Sequence, residues 1–437
     1  MIKNGTFESL YSPDKVEEER RRCISLMDNM SLQAGFPGGF SEKKEHFRVF
    51  STPGRTELGG NHTDHNRGKV LAAAIQLDAL AVAVPRDDSR VFFRSTGFPD
   101  VQVNLDGLDS RPEERETTEA LVRGIAAEFA RRGASVGGFC ANASSMVLPG
   151  SGLSSSAAVE VLLAKIFDSL YNGGSCSALE LAQISQKSEN DFFGKPSGLM
   201  DQAASAFGGA VAIDFADSAA PAVTAIQFDP QAGGFILCVV NTRGSHADLT
   251  PDYAAVPQEM NAVARYFGKS FLRETDYSQV LAHAGELRKS VGDRALLRAI
   301  HFFNENRRVT AMAGLLQKLE KAATDSEKQG FMGQFLDLVN ESGDSSWELL
   351  QNLYSPRNFH EQGLSLALAV SREFFREQGM KAACRVHGGG FAGTVQAYIP
   401  VDGFKLYCGR MEALFGPGAV TVLRIRQAGA VEIMLDL

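Results

Sequence analysis

The chain has one tryptophan, few cysteines, no surplus of positive charge and no long uninterrupted apolar run. Each shortage removes a class of function. No window approaches the roughly 20 consecutive apolar residues of a membrane-spanning helix, so no membrane partner is expected. Lys and Arg number 44 against 52 Asp and Glu, a formal net charge of −8, which offers no electrostatic footprint for nucleic acid. The six cysteines (Cys23, Cys140, Cys176, Cys238, Cys384 and Cys408) are scattered and form no CxxC pair. Reduced, mostly buried thiols are therefore expected instead of disulfides or a zinc centre, in a cytoplasmic protein. The segment MIKNGTFESLYSPDKVEEERRR lacks the apolar core of a secretory signal. No internal repeat is present, which argues against a solenoid.

What is present is an ordinary soluble composition, 44% hydrophobic and 22% charged, in 437 residues. That length suggests two packed domains. The compositional shift in DFADSAAPAVTAIQFDP, residues 214–230, divides the chain into units expected at 1–225 and 226–437. KVEEERRRCISLMDNM carries a helical pattern, FRVFS reads as a strand leading into a glycine loop, and VLAAAIQLDALAVAVP reads as apolar strand. TTEALVRGIAAEFARRG is an amphipathic helix ended by glycine, and LELAQISQKSENDF a further helix. AVAIDF and FILCVVNT follow as strands, and TVLRIRQAGAVEIML near the C-terminus is strand-like. Strands and helices alternate without an even βαβ beat, so the expected class is α+β.

Three glycine loops and one carboxylate pair concentrate the polar chemistry. In STPGRTELGGNHTDHNRGKVLAAAI an arginine, histidines and an aspartate sit among glycines, a pattern suited to gripping a small polar ligand. LPGSGLSSSAA is a glycine turn running into a helix N-terminus, where unpaired backbone N–H groups and the helix dipole favour phosphate. The Gly-Lys-Ser/Thr ending of a Walker A loop is missing, and taken alone the stretch is equally a serine-capped helix start. SENDFFGKPSGLMDQ holds Glu189 and Asp201: one carboxylate suits Mg²⁺ and the other could take a proton from a hydroxyl. Each acid by itself is more commonly a solvated residue or a helix cap, and Arg55 an ordinary surface ion pair. HGGGFAGT lets backbone pass close to a ligand or another loop, or is simply a hairpin turn. His387 beside it has no partner at metal-ligand spacing, and a structural role is expected.

Together and in this order the motifs resemble the GHMP kinase superfamily, specifically the galactokinase family. PGRTELGGNHTDHNRGKVL resembles the signature PGRxNLIGEHTDYNxGxVL, PGSGLSSSAA matches the superfamily ATP motif, GGGFAGT resembles GGGFGG, and SENDFFGKPSGLMDQ resembles AEHxFxGxPCGxMDQ. RAIHFFNENRRV and LVNESGDSS resemble two weaker downstream segments. The resemblance implies a two-domain GHMP kinase fold, α+β, with an N-terminal domain like ribosomal protein S5 domain 2 and a ferredoxin-like C-terminal domain. It implies an ATP- and Mg²⁺-dependent kinase acting on the anomeric hydroxyl of galactose, with small-molecule partners only, as a monomer.

Carried across residue by residue, Asp201 would accept or orient the hydroxyl proton and Arg55 would pair with it and with the transferring phosphoryl group. Gly150, Ser151, Gly152, Leu153, Ser154, Ser155 and Ser156 would cradle ATP, and Ser156 and Glu189 would hold Mg²⁺. Asn61, His62, Asp64, Gly198 and Tyr253 would contact the sugar. Five departures stand out. Asn61 replaces the family glutamate, and His65 the family tyrosine, which keeps a galacturonate 1-kinase open as the alternative. Thr118 stands where many relatives have an adenine-stacking tryptophan. SGDS at 342–345 and Val256-Pro257 also differ. A non-catalytic sugar sensor of galactokinase type is the remaining alternative, and the intact Arg55, Asp201, Glu189 and SSSAA favour an enzyme over it.

Overall fold

The structure, a computed structural model, describes residues 4–31, 35–41, 43–147, 152–195, 197–217, 219–245 and 249–434. Its strands are β1 (Asn4–Gly5), β2 (Arg48–Gly59), β3 (Lys69–Pro85), β4 (Arg90–Ser95), β5 (Val101–Asn104), β6 (Phe139–Ser145), β7 (Ala210–Asp214), β8 (Ala222–Ile226), β9 (Phe235–Asn241), β10 (Ala383–His387), β11 (Thr394–Pro400), β12 (Val420–Leu423) and β13 (Val431–Ile433). The apolar run of β3 is long enough to serve two neighbours in succession. Its first part pairs with β7 and its second with β6, while β2 follows its other edge. The nine-stranded sheet runs β1-β13-β2-β3-β6-β4-β5, with β7 and β8 branching from β3.

Side chains alternate across a strand, so a sheet buried on both faces needs two covers. Ala79, Ala81 and Ala83 of β3 face the main core with helices Thr118–Arg131, Ser155–Asn172 and Ala178–Lys187. Leu80, Val82 and Val84 face the other way, onto Phe7, Leu26 and Met27 of the N-terminal segment. The helical pattern expected there forms two helices, Phe7–Leu10 and Val16–Asp28. The second sheet is antiparallel, β10-β11-β9-β12. Helices Gly363–Glu377 and Phe404–Phe415 cover it through Leu364, Leu368, Phe374, Tyr407 and Met411. The result is the expected two-part α+β architecture. All six cysteines are free, and no helix of the described residues is long and apolar enough to cross a membrane.

Two expectations need correction. The division at 225/226 does not hold at the C-terminus, because β13 leaves the second unit and inserts between β1 and β2 of the first sheet. The crossing is made by residues 424–426, where Gln76 N–H donates to Arg424 O at 3.0 Å and Arg426 N–H to Ala74 O at 3.0 Å. Arg426 then reaches the buried Asp78 of β3, which also accepts from Tyr11 and Arg22, so one carboxylate ties both ends of the chain to the core. The second correction concerns Arg55, which lies on β2 and not in a loop. Register shifts between Pro53 and Arg55 and between Glu57 and Gly59 absorb the proline and glycine, so the strand continues to Gly59.

Candidate functional site

Arg55 and Asp201 are joined by a fork. Nε donates to Asp201 Oδ1 at 2.7 Å and Nη2 to Oδ2 at 2.8 Å, the geometry that suits a guanidinium to a carboxylate. Asp201 stands in the first turn of helix Met200–Phe207, and Ser154 Oγ donates to its Oδ2. Burial alone would raise the Asp201 pKa; the charge and hydrogen bonds of Arg55, aided by Ser154, outweigh it and hold the carboxyl below the usual range. It is ionised at neutral pH and able to accept a proton.

The same arginine fastens the phosphate-type loop. Its Nη1 donates to Gly152 O, and its backbone N–H donates to Leu153 O at 3.0 Å. Ser154 adopts a left-handed backbone, φ 62°, at the start of helix Ser155–Asn172. Because its hydroxyl is turned to Asp201, it makes no side-chain cap to the helix. The first N–H groups of a helix have no intrahelical partner and stand at the positive end of the dipole, which suits an anionic group. Gly152 is needed in this loop: its φ is 72°, and a Cβ would lie 3.1 Å from His387 Nδ1 and Thr394 Oγ1. Gly150 and Ser151 lie outside the described residues.

Glu189 occupies a widened, π-type helical turn, Ser188–Phe193, and is buried. Its Oε1 meets Lys195 Nζ at 2.8 Å, while Oε2 accepts from Gln202 at 2.8 Å and from Ser197. Ser156 is exposed on the first turn of its helix. Among the described residues no group of three or more His, Cys, Asp and Glu could hold a metal ion. Mg²⁺ takes few protein ligands and fills its octahedron with phosphate and water, so one buried carboxylate and one exposed serine hydroxyl are the kind of ligands that would fit it. The lysine that now meets Glu189 is 59% exposed in its side chain and free to yield to a stronger cation.

Around the grip loop, Asp64 accepts from His65 N–H at 2.9 Å, and its Oδ2 lies against Gly198, where a Cβ would approach to 1.8 Å. His62, itself at φ 58°, donates from Nε2 to Gly389 O at 2.8 Å. Burial draws its pKa down to about 4, so the ring is neutral and the bond at Nε2 leaves Nδ1 as an acceptor. Tyr253 OH donates to Gly390 O at 3.0 Å from helix Thr250–Tyr266. The third glycine loop is thus held from the first loop and from the second unit together. Of the alternatives open for it in the sequence, two are realised together: it is the hairpin connection between β10 and β11, and it passes close to another loop.

Asn61 differs from expectation. It is 1% exposed. Its Nδ2 donates to Gly388 O at 2.6 Å and to the Glu57 carboxylate at 3.1 Å, and its Oδ1 accepts from Asn352 at 2.8 Å. An amide has two donors and two acceptor positions, and the protein itself fills them. The side chain is turned into the interface behind the loop instead of toward the cleft.

Comparison with known proteins follows the same lines. Residues 120–209 match the family model for the GHMP kinases N terminal domain, and residues 35–85 that for the galactokinase galactose-binding signature. A galactokinase of Streptomyces coelicolor is 33% identical over 269 residues, 62% of this chain and 69% of that protein. The chain belongs to the galactokinase family. A Clostridium tetani galactokinase is 32% identical over 276 residues, with the same coverage, 62% and 69%. In fold, the chain resembles a Lactococcus lactis galactokinase crystallised with galactose, at TM-score 0.72 and 23% identity over 89% of this chain and 96% of that one. It also resembles a Methanococcus jannaschii mevalonate kinase at TM-score 0.57 and 14% identity, over 86% and 98%. The two-domain GHMP kinase fold follows from these neighbours.

One buried residue of this galactokinase-family site, Glu160, carries no motif that would single it out. Gln202, the last residue of the SENDFFGKPSGLMDQ segment, bridges Glu189 to Glu160 through Nε2, and Glu160 is fully buried on helix Ser155–Asn172. Burial and the neighbouring Glu189 push the Glu160 pKa up to about 8. The weaker downstream segments also gain a purpose. Glu305 of RAIHFFNENRRV accepts from Gly60 N–H at 2.9 Å and from Ser342 Oγ at 2.6 Å. His301 bonds Ser345 at 2.8 Å and Asn61 O at 2.9 Å. Those segments form the back wall that shapes the grip loop. His387 bridges Thr56 and Thr394 as a neutral, buried imidazole, a structural position.

Proposed function

We propose that the protein transfers the γ-phosphoryl group of ATP to the anomeric hydroxyl of galactose, giving galactose 1-phosphate. The observation that carries this reading is the Arg55–Asp201 fork beside an uncapped helix N-terminus. Asp201 orients the sugar hydroxyl and takes its proton as the new O–P bond forms. Arg55 keeps that carboxylate ionised and faces the charge on the transferring group, where a fixed guanidinium is most effective. Backbone N–H groups at Gly152 to Ser156 receive the phosphates. Ser156 and Glu189 would hold Mg²⁺, which when bound neutralises phosphate charge and polarises the phosphoryl group. Asp64, His62, Gly198 and Tyr253 form the sugar side, and discrimination comes from hydroxyls that leave these groups unpaired when misplaced. The supports are the galactose-binding signature over 35–85 and the curated galactokinases of similar sequence.

The galacturonate alternative rested on Asn61 and His65. With the Asn61 amide engaged inside the protein, only His65 still argues for it. A coupled ADP-release screen over galactose, galacturonate, N-acetylgalactosamine, arabinose and glucose tests the proposal. Galactose is expected to give the highest kcat/KM. A strong preference for galacturonate would reverse the substrate assignment, and binding of sugar and ATP with no ADP release from any sugar would make the protein a sensor.

A further inference from the structure

The family signature PGRxNLIGEH places an amide and then, four residues on, a carboxylate. In this chain the order is inverted, with Glu57 first and Asn61 second. The two side chains touch, Asn61 Nδ2 lying 3.1 and 3.3 Å from the Glu57 oxygens. An exchange between touching positions keeps one carboxylate and one amide at the same place in space. The carboxylate here has a specific partner. Glu57 is 2% exposed in its side chain and receives Nη2 of Arg385, 0% exposed, from β10 of the second sheet. Arg385 Nε and Nη1 have no hydrogen-bond partner among the described residues, so Glu57 is the carboxylate to which this guanidinium donates. A buried arginine stripped of its partner is strongly unfavourable.

The pair also lies close to the chemistry. Arg55 and Glu57 sit two residues apart in an unbroken stretch of β2 pairing, Arg55↔Ala74 to Glu57↔Ala72, and so share a face. Each is near enough to feel the other's charge. Glu57 therefore stands between two arginines, one fixed to Asp201 and one rooted in the second sheet. Gln396 of β11 adds a neutral clasp at the same crossing, donating to Glu57 O at 2.9 Å and to Thr56 Oγ1 at 2.7 Å.

We propose that Glu57 is a positioning residue for phosphoryl transfer, locking the strand that carries Arg55 to the second sheet through Arg385, and that Glu57 with Asn61 is a reciprocal exchange of the family's amide–carboxylate pair. The inference rests on the sugar-kinase reading above for its kinetic part and on geometry alone for its coupling part. The test is a cycle of Glu57→Asn, Asn61→Glu and the exchanged double variant, with Glu57→Gln added because it keeps the side-chain shape and remains readable if Glu57→Asn fails to fold. Both kcat and KM are read by ADP release with galactose, and melting temperature is read separately.

Asn61→Glu puts a second carboxylate against Glu57, and Glu57→Asn or Glu57→Gln strips Arg385 of its anion. Each single variant is expected to lose about tenfold or more in kcat, with KM for ATP changing by less than about threefold. The double variant is expected to recover both kcat and melting temperature above the worse single variant, which is the mark of coupled residues. Native kcat in Glu57→Gln, or a double variant no better than the worse single variant in either readout, would overturn the proposal. If the wild type released no ADP with galactose, the functional reading would fail, while recovery of melting temperature in the double variant would still establish the exchange.

Discussion

Asp201 receives two donors from Arg55 and one from Ser154, and that leaves it ionised although it is half-buried. Those residues were readable in the sequence because their neighbours are local motif residues: Arg55 between glycines, Ser154 in a serine run, Asp201 after a glycine turn. Glu57, Arg385 and Glu160 were not. Their meaning comes from burial and from partners far along the chain, Glu57 and Arg385 being 328 residues apart. Spacing within a segment carries no such information. A residue that was read and whose reason is now visible is Gly198. A Cβ there would reach 1.8 Å from Asp64 Oδ2, so Gly198→Ala must push the Asp64 carboxylate out of place. The expected outcome is a rise of about tenfold or more in KM for galactose, measured by initial rates, with a smaller change in KM for ATP. An unchanged KM for the sugar would remove Asp64 from the sugar side.

The glycine loop between β10 and β11 shows the same limit for elements. Its composition told that backbone must pass close to something, but not to what. Gly388 O accepts from Asn61, Gly389 O from His62 and Asn352, and Gly390 O from Tyr253, so the loop is a joint between the two units. Gly390 has φ 77°, and a Cβ on it would lie 2.2 Å from Asn352 O. Gly390→Ala is expected to destabilise the fold by about 2–4 kcal/mol, read by chemical denaturation. The continuation of β2 through Pro53-Gly54-Arg55 was likewise hidden. Proline and glycine ordinarily end a strand, and only pairing with β3 on one side and bulges at two positions carry it on.

For the whole molecule, class and two-part plan followed from pattern, whereas the return of β13 to the first sheet did not. A three-residue strand has too little alternation to announce its partner. Global stability carries one further signature of the site. The folded protein holds the Glu160 proton more tightly than an unfolded chain, with the pKa raised from 4.5 to about 8 by burial and by Glu189. That contribution is full below the unfolded pKa and is lost as pH rises toward 8. Glu160→Gln keeps the neutral form at every pH. The variant is expected to match the wild type near pH 5 and to exceed it by on the order of 3 kcal/mol near pH 9, measured by denaturation at both pH values. Parallel pH dependence in the two proteins would show that Glu160 is not held neutral.

The most direct measurement compares wild type and Asp201→Asn, with kcat for galactose from ADP release and galactose affinity from calorimetry in the absence of turnover. The expected result is a fall of about a hundredfold or more in kcat, with the sugar dissociation constant within about threefold of wild type. Undiminished kcat in Asp201→Asn would contradict proton acceptance by this carboxylate.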